Sequence, residues 1–157
     1  MSAKHKDIMD AAVTRLQGLT LTGIASGNIR VALLAVADKL IKKEALRLPA
    51  IIVSPTLSET INKRFTGDSV ADVYGWPYVV AIVTNADSPE LIDNLDKYLT
   101  WRETIMGAFH NKHLLTPAEG DLLTEVNPSN IIEQNAWVDS NLFVSGFTFR
   151  TYTREVR

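Results

Sequence analysis

From Lys4 to Leu19 the apolar residues Ile8, Met9, Ala12, Val13 and Leu16 recur at helical spacing, while Lys6, Asp10, Thr14 and Gln17 fall on the opposite side. This predicts an amphipathic first helix, ended by Gly18 and followed by the turn-formers Gly23, Ser26, Gly27 and Asn28. The apolar segment Ile29 to Val36 fits a strand, although Leu33, Leu34, Val36, Leu40 and Ile41 also satisfy a helical template; a strand to about Ala35 is the preferred reading. Leu48-Pro49-Ala50-Ile51-Ile52-Val53-Ser54-Pro55 is a β-branched run between prolines and predicts a buried core strand.

The stretch Thr56 to Val73 is polar and reads as a long connection with at most one helical turn, of the kind that is functional or mobile in compact domains. Tyr74 to Thr84 carries the strongest strand signal in the chain, closed by Asn85-Ala86-Asp87. Ser88-Pro89-Glu90 then offers an N-cap, a proline at the first helical position and an acid in the first turn. The helix it starts carries Leu91, Ile92, Leu95, Tyr98, Leu99, Ile105, Met106 and Phe109 as one stripe and ends near Asn111. A turn at Thr116-Pro117 and Glu119-Gly120-Asp121 leads to one or two short extended pieces over Leu122 to Ile132, broken by Asn127-Pro128. Finally Asn141 to Arg154 alternates, with Phe143, Ser145, Phe147, Phe149 and Thr151 facing one way and Thr148, Arg150, Tyr152 and Arg154 the other.

This order lacks the strand-helix repeat that builds a doubly wound parallel sheet. It predicts an α+β fold, a mainly antiparallel sheet with an N-terminal helix and a long central helix packed on one face, forming one domain over residues 1–157. The length suits one hydrophobic core, and a 46% hydrophobic, 22% charged composition is that of a globular chain. The start Met-Ser-Ala-Lys-His-Lys lacks an apolar secretory region and no apolar run is long enough to span a bilayer, so the expected setting is cytoplasmic, without a membrane.

The absence of cysteine excludes disulfide frameworks, thiolate zinc sites and cysteine nucleophiles. A net charge of −2 gives no global attraction for nucleic acid, and the cluster Lys39, Lys42, Lys43 and Arg47 is interrupted by Asp38 and Glu44, as on a solvated surface. Phosphate-cradling glycine loops, the nucleophile elbow and the zincin helix are missing, so neither catalytic residues nor a cofactor are expected. His110 and His113, with Glu119 and Asp121 nearby, leave a small metal-dependent hydrolase as an alternative; Lys112 between them would repel a cation, and a helix C-terminus favours histidine through its dipole alone. A binding module holding a peptide or small ligand in an apolar groove is a further alternative.

Three segments offer contact residues. Trp101 and Arg102 fit either core packing with a surface ion pair to Glu103 or a hot-spot pair facing a neighbouring subunit. Arg150, Tyr152, Arg154 and Arg157 fit either a solvated strand face or an inter-subunit edge, and Lys63, Arg64 and Phe65 lie in the long polar stretch.

Leu-Pro-Ala-Ile-Ile-Val-Ser-Pro at 48 to 55, Trp-Pro-Tyr-Val-Val-Ala-Ile-Val at 76 to 83, Tyr-Leu-Thr-Trp-Arg-Glu-Thr-Ile at 98 to 105 and the terminal Phe-Thr-Phe-Arg-Thr-Tyr-Thr-Arg-Glu together resemble the small neck and tail-completion proteins of tailed bacteriophages. The likeness runs in order from about residue 5 to 155 and is one of strand pattern and spacing. It implies a non-enzymatic virion protein, a tail terminator or head–tail joining subunit, built in the host cytoplasm and incorporated in the neck. It further implies a homo-oligomeric, commonly hexameric, ring that contacts the tail tube and the connector and lets DNA pass through its lumen without reading sequence. Lys63, Arg64, Phe65, Trp101, Arg102, Arg150, Tyr152 and Arg154 are then the expected interface residues.

Overall fold

The computed structural model describes residues 4–33, 47–56, 62–65, 71–85, 95–116, 120–128 and 142–156. In chain order these form α1 (Lys4–Gly18), a 3-10 turn (Ser26–Asn28), β1 (Ile29–Val31), β2 (Ala50–Pro55), β3 (Asn62–Phe65), β4 (Ala71–Asn85), α2 (Leu95–Phe109), β5 (Asp121–Pro128) and β6 (Leu142–Val156). The six strands make one sheet in the order β1-β2-β4-β6-β5, with β3 also paired to β4. The fold is α+β and the sheet mostly antiparallel, as the pattern predicts.

β4 and β6 are 15 residues each and pair along their whole length, from Ala71 opposite Val156 to Asn85 opposite Leu142. At about 3.4 Å per residue each spans about 50 Å, well beyond an ordinary strand. Their alternation sets the layers. Ile51 and Val53 of β2, Tyr78, Val80 and Ile82 of β4, and Phe147 and Phe149 of β6 lie on one face. On that face they form a single cluster with Ile8, Met9, Ala12 and Leu16 of α1 and Tyr98, Trp101, Ile105 and Phe109 of α2. Each helix buries residues three or four apart, so its stripe lies flat on the pleated surface. Fully burying one such side chain contributes about 1.5–3 kcal/mol, and this cluster is the main source of stability. Arg15 fastens the helices together: its guanidinium donates to the carbonyls of Ala108, at 3.3 Å, and His113, and lies over the Phe109 ring. A cation there also complements the C-terminal dipole of α2.

Four expectations are corrected. β1 runs parallel to β2, with Ile29 opposite Ile51, and the chain between them is long enough for the crossover such pairing needs. The supposed connection from Thr56 to Val73 contains β3, and β4 begins at Ala71, before Tyr74. β5 is one strand through Pro128, with a register shift between Asp121 and Thr124. The opposite face of the sheet also has a buried region, since Ala50, Ile52, Ala81, Val83 and Val144 form a second small cluster there. From Gly146 onward the outer face of β6 is half-open, with Arg154 exposed. The cap at Ser88-Pro89, the basic cluster around Lys42 and Glu119 lie outside the described residues.

Candidate subunit interface

β2 pairs with Tyr78–Val83 of β4, and the remaining stretch from Ala71 to Pro77 continues between β3 and the end of β6. Register assembles the contact candidates on this extension. Arg64, Val73 and Arg154 line up across β3, β4 and β6; Asn62, Gly75 and Tyr152 form the next row, and Pro77, Arg150 and Glu125 the third. Lys63 and Phe65 stand opposite Tyr74 and Asp72. Thus six of the eight residues, drawn from segments 62–65 and 150–154, come to one end of the sheet.

On its outer face Tyr152 Oη donates to Glu125 Oε2 at 3.0 Å. A Cβ on Gly75 would come 2.9 Å from Arg150 Cδ and 3.0 Å from Tyr152 Cε1. Glycine is what lets these two side chains lie flat across the β4 backbone. Arg150 Nε is buried without a hydrogen-bond partner among the described residues. On the other face the extension is braced by the first turn of α1. His5 Nε2 donates to the Pro77 carbonyl at 2.7 Å, its ring lies 5.8 Å from that of Trp76, and Trp76 Nε1 donates to Thr153 Oγ1 at 2.8 Å. Tyr74 stacks beside Trp76, and Lys4 pairs with Glu155 at 3.8 Å.

Trp101 and Arg102 are elsewhere, inside the subunit. Trp101 is 2% exposed, and its indole N–H donates to the Thr22 carbonyl at 2.9 Å. Arg102 is 7% exposed; it donates to Ser145 Oγ, not to Glu103, and its guanidinium lies 4.2 Å from the centre of the Phe147 ring. Burial pushes the neighbouring Tyr98 hydroxyl above its ordinary pKa, offset in part by Ser145 and Arg102. Of the two readings of Trp101-Arg102, core packing is the one their positions support, so neither offers a surface to a neighbour.

The two histidines are also engaged locally. His110 Nδ1 accepts the Val126 N–H at 3.3 Å, and His113 Nδ1 lies 3.0 Å from Oδ2 of the buried Asp121. Among the described residues no three metal-ligating side chains gather. The larger consequence of His110 is for the outer edge of β5. There Thr124 exchanges backbone hydrogen bonds with Asn111 and Lys112 at 2.9 Å, Val126 is capped by His110, and Pro128 has no N–H. This edge is closed to strand addition.

A buried polar chain that the sequence pattern did not single out as a site links Tyr78 Oη, Thr151 Oγ1 and Thr124 Oγ1 at 3.1 and 2.9 Å. Its signal was a threonine, Thr151, on the apolar face of β6. Burial drives the Tyr78 hydroxyl far above its ordinary pKa, with hydrogen bonds from Thr151 acting the other way. Tyr78 is therefore a neutral cross-brace and not a proton donor near neutral pH. An open cleft of about 470 Å³ beside α1 is lined by Ala11, Leu114 and Leu115 together with Asp7, Thr14, Arg15 and Thr116.

Neither a protein-family model nor a curated protein sequence matches this chain. Among the described residues no helix is long and apolar enough to cross a membrane.

Proposed function

We propose that this chain is a structural, non-enzymatic subunit that assembles with copies of itself into a ring at the neck of a tailed phage, as a tail terminator or head–tail joining protein. The observation that carries this reading is the extension of β4 and β6 beyond the part paired with β2, with Arg150, Tyr152 and Arg154 on its outer face and Arg64 in register with them. A strand pair that runs on past β2 presents an additional outer face, and Tyr and Arg are residue types enriched in protein contacts. The closed edge of β5 adds to this: lateral growth by strand pairing would give open fibrils, whereas contacts between faces can close. The tail tube and the connector are the partners this role requires, and DNA would pass through the ring unread. The virion is its final location.

The test is to raise antibodies against the purified chain and label tailed particles from the source culture. Label at the head–tail junction supports the reading. Particles that lack the chain, by labelling and by mass spectrometry of their proteins, would overturn it.

A further inference from the structure

The exposed side of α2 carries Asp96, Leu99, Thr100, Glu103 and Gly107, spaced three or four apart and so forming a single row. Leu99 is 39% exposed, one of three large apolar side chains so placed among the described residues. Neither Asp96 nor Glu103 has an ion-pair partner there. The row is therefore an apolar centre between two carboxylates that have no partner of opposite charge among the described residues.

The outer face of β6 carries the complementary set. Tyr152 stands between Arg150 and Arg154 at strand spacing of two, all on one side, and Gly75 lets Arg150 and Tyr152 lie flat. That face is therefore an aromatic centre between two guanidinium groups, with the Glu125 carboxylate held by Tyr152 beside it, leaving an excess of positive charge. α2 packs on the inner face of the sheet, whereas these three residues stand on the outer one. The two patches lie on opposite sides of one subunit and cannot meet within a chain.

We infer that they meet between chains: the acidic α2 row of one copy docks on the Arg150–Tyr152–Arg154 face of the next. Each copy presents both halves of the contact, so the association is heterologous and propagates until its rotation closes a ring. Unlike charges facing each other fix which face meets which, and they disfavour helix-to-helix and sheet-to-sheet pairing. The inference rests on the self-assembling reading above and gives it a defined contact.

The full chain is tested with two charge reversals, Asp96→Lys/Glu103→Lys and Arg150→Glu/Arg154→Glu, with molar mass measured by light scattering at low salt. Each variant alone is expected to weaken association at least about tenfold and to run near the monomer mass, because like charges then face each other. Mixed one to one, the two variants are expected to regain the wild-type mass, since reversed helix rows meet reversed sheet faces while the unaltered patches meet each other. If a double variant does not melt cooperatively, Glu103→Lys and Arg154→Glu, both at exposed positions, replace it. Reversals that leave the mass unchanged, or folded variants whose mixture stays monomeric beside an oligomeric wild type, overturn this contact and leave the ring reading standing. A wild-type chain that is monomeric throughout overturns both.

Discussion

Arg102 is a cation held 7% exposed, with Ser145 Oγ as acceptor and the Phe147 ring beneath it, and without a carboxylate among the described residues. Ser145→Ala removes that acceptor and leaves a buried charge less well satisfied, at a cost of about 1.5–3 kcal/mol for a hydrogen bond to a charged group. For a chain of this size that is a fall in Tm of roughly 3–12 °C, at about 2–4 °C per kcal/mol. Arg102→Met removes the charge itself. It loses a cation–π contact of about 2 kcal/mol but also a desolvation penalty of several kcal/mol, so its stability is expected within about 1 kcal/mol of wild type. In the Arg102→Met background Ser145→Ala has less to lose, and the double-mutant cycle should give a coupling of about 1–2 kcal/mol. Thermal melts and urea titrations of the four proteins supply the values. Additivity within about 0.5 kcal/mol would refute the coupling, and a large loss in Arg102→Met alone would refute the claim that its charge is costly where it sits.

Gly120 has φ +76°, and a Cβ there would lie 2.3 Å from the Arg154 carbonyl oxygen, so Gly120→Ala is expected to cost about 2–4 kcal/mol from backbone strain and the clash, read by urea titration. An effect below about 1 kcal/mol would count against the close approach of Gly120 to the β6 backbone at Arg154. Tyr78 stays protonated in the fold while the unfolded chain ionises near 10.0, so its stabilisation is complete below that pH and is lost as pH rises beyond it. Stability should fall by about 1.4 kcal/mol per pH unit for Tyr78, with Tyr98 acting in the same direction, and Tyr78→Phe should flatten the slope while costing about 1 kcal/mol at neutral pH. An unchanged slope in melts at alkaline pH would contradict the burial of that hydroxyl. His110→Ala uncaps the Val126 N–H and is expected to speed its hydrogen exchange about fivefold, followed by NMR, with amides of β4 unaffected; protection equal to wild type would mean that the imidazole does not cap the edge.

Much of the fold could be read from local pattern. α1, β2 and the alternation of β6 follow from apolar spacing because each buries a single face, and the structure places Phe147, Phe149 and Thr151 inward as that spacing requires. β3 was hidden because Asn-Lys-Arg-Phe has no apolar alternation; its pairing comes from backbone hydrogen bonds to a strand that is long for other reasons. The parallel β1 was obscured by its shortness and by a connection whose path the pattern does not set. On α2, Leu99 and Trp101 are both compatible with an apolar stripe, and only packing against Phe143, Ser145 and Phe147 decides that Tyr98, Trp101 and Arg102 face inward and Leu99 outward. The contact candidates on segments 62–65 and 150–154 were legible by residue type, but their convergence depends on register across β4. The use of Gly75 as a platform for Arg150 and Tyr152 appears only when β6 is laid beside it.

That the chain is an assembling subunit is tested most directly by sedimentation velocity of the full protein over a hundredfold range of concentration at low salt. A single species of fixed, higher mass, an integer multiple of the chain and dissociating as salt is raised, is the result this structure leads to. A monomer at every concentration would contradict it.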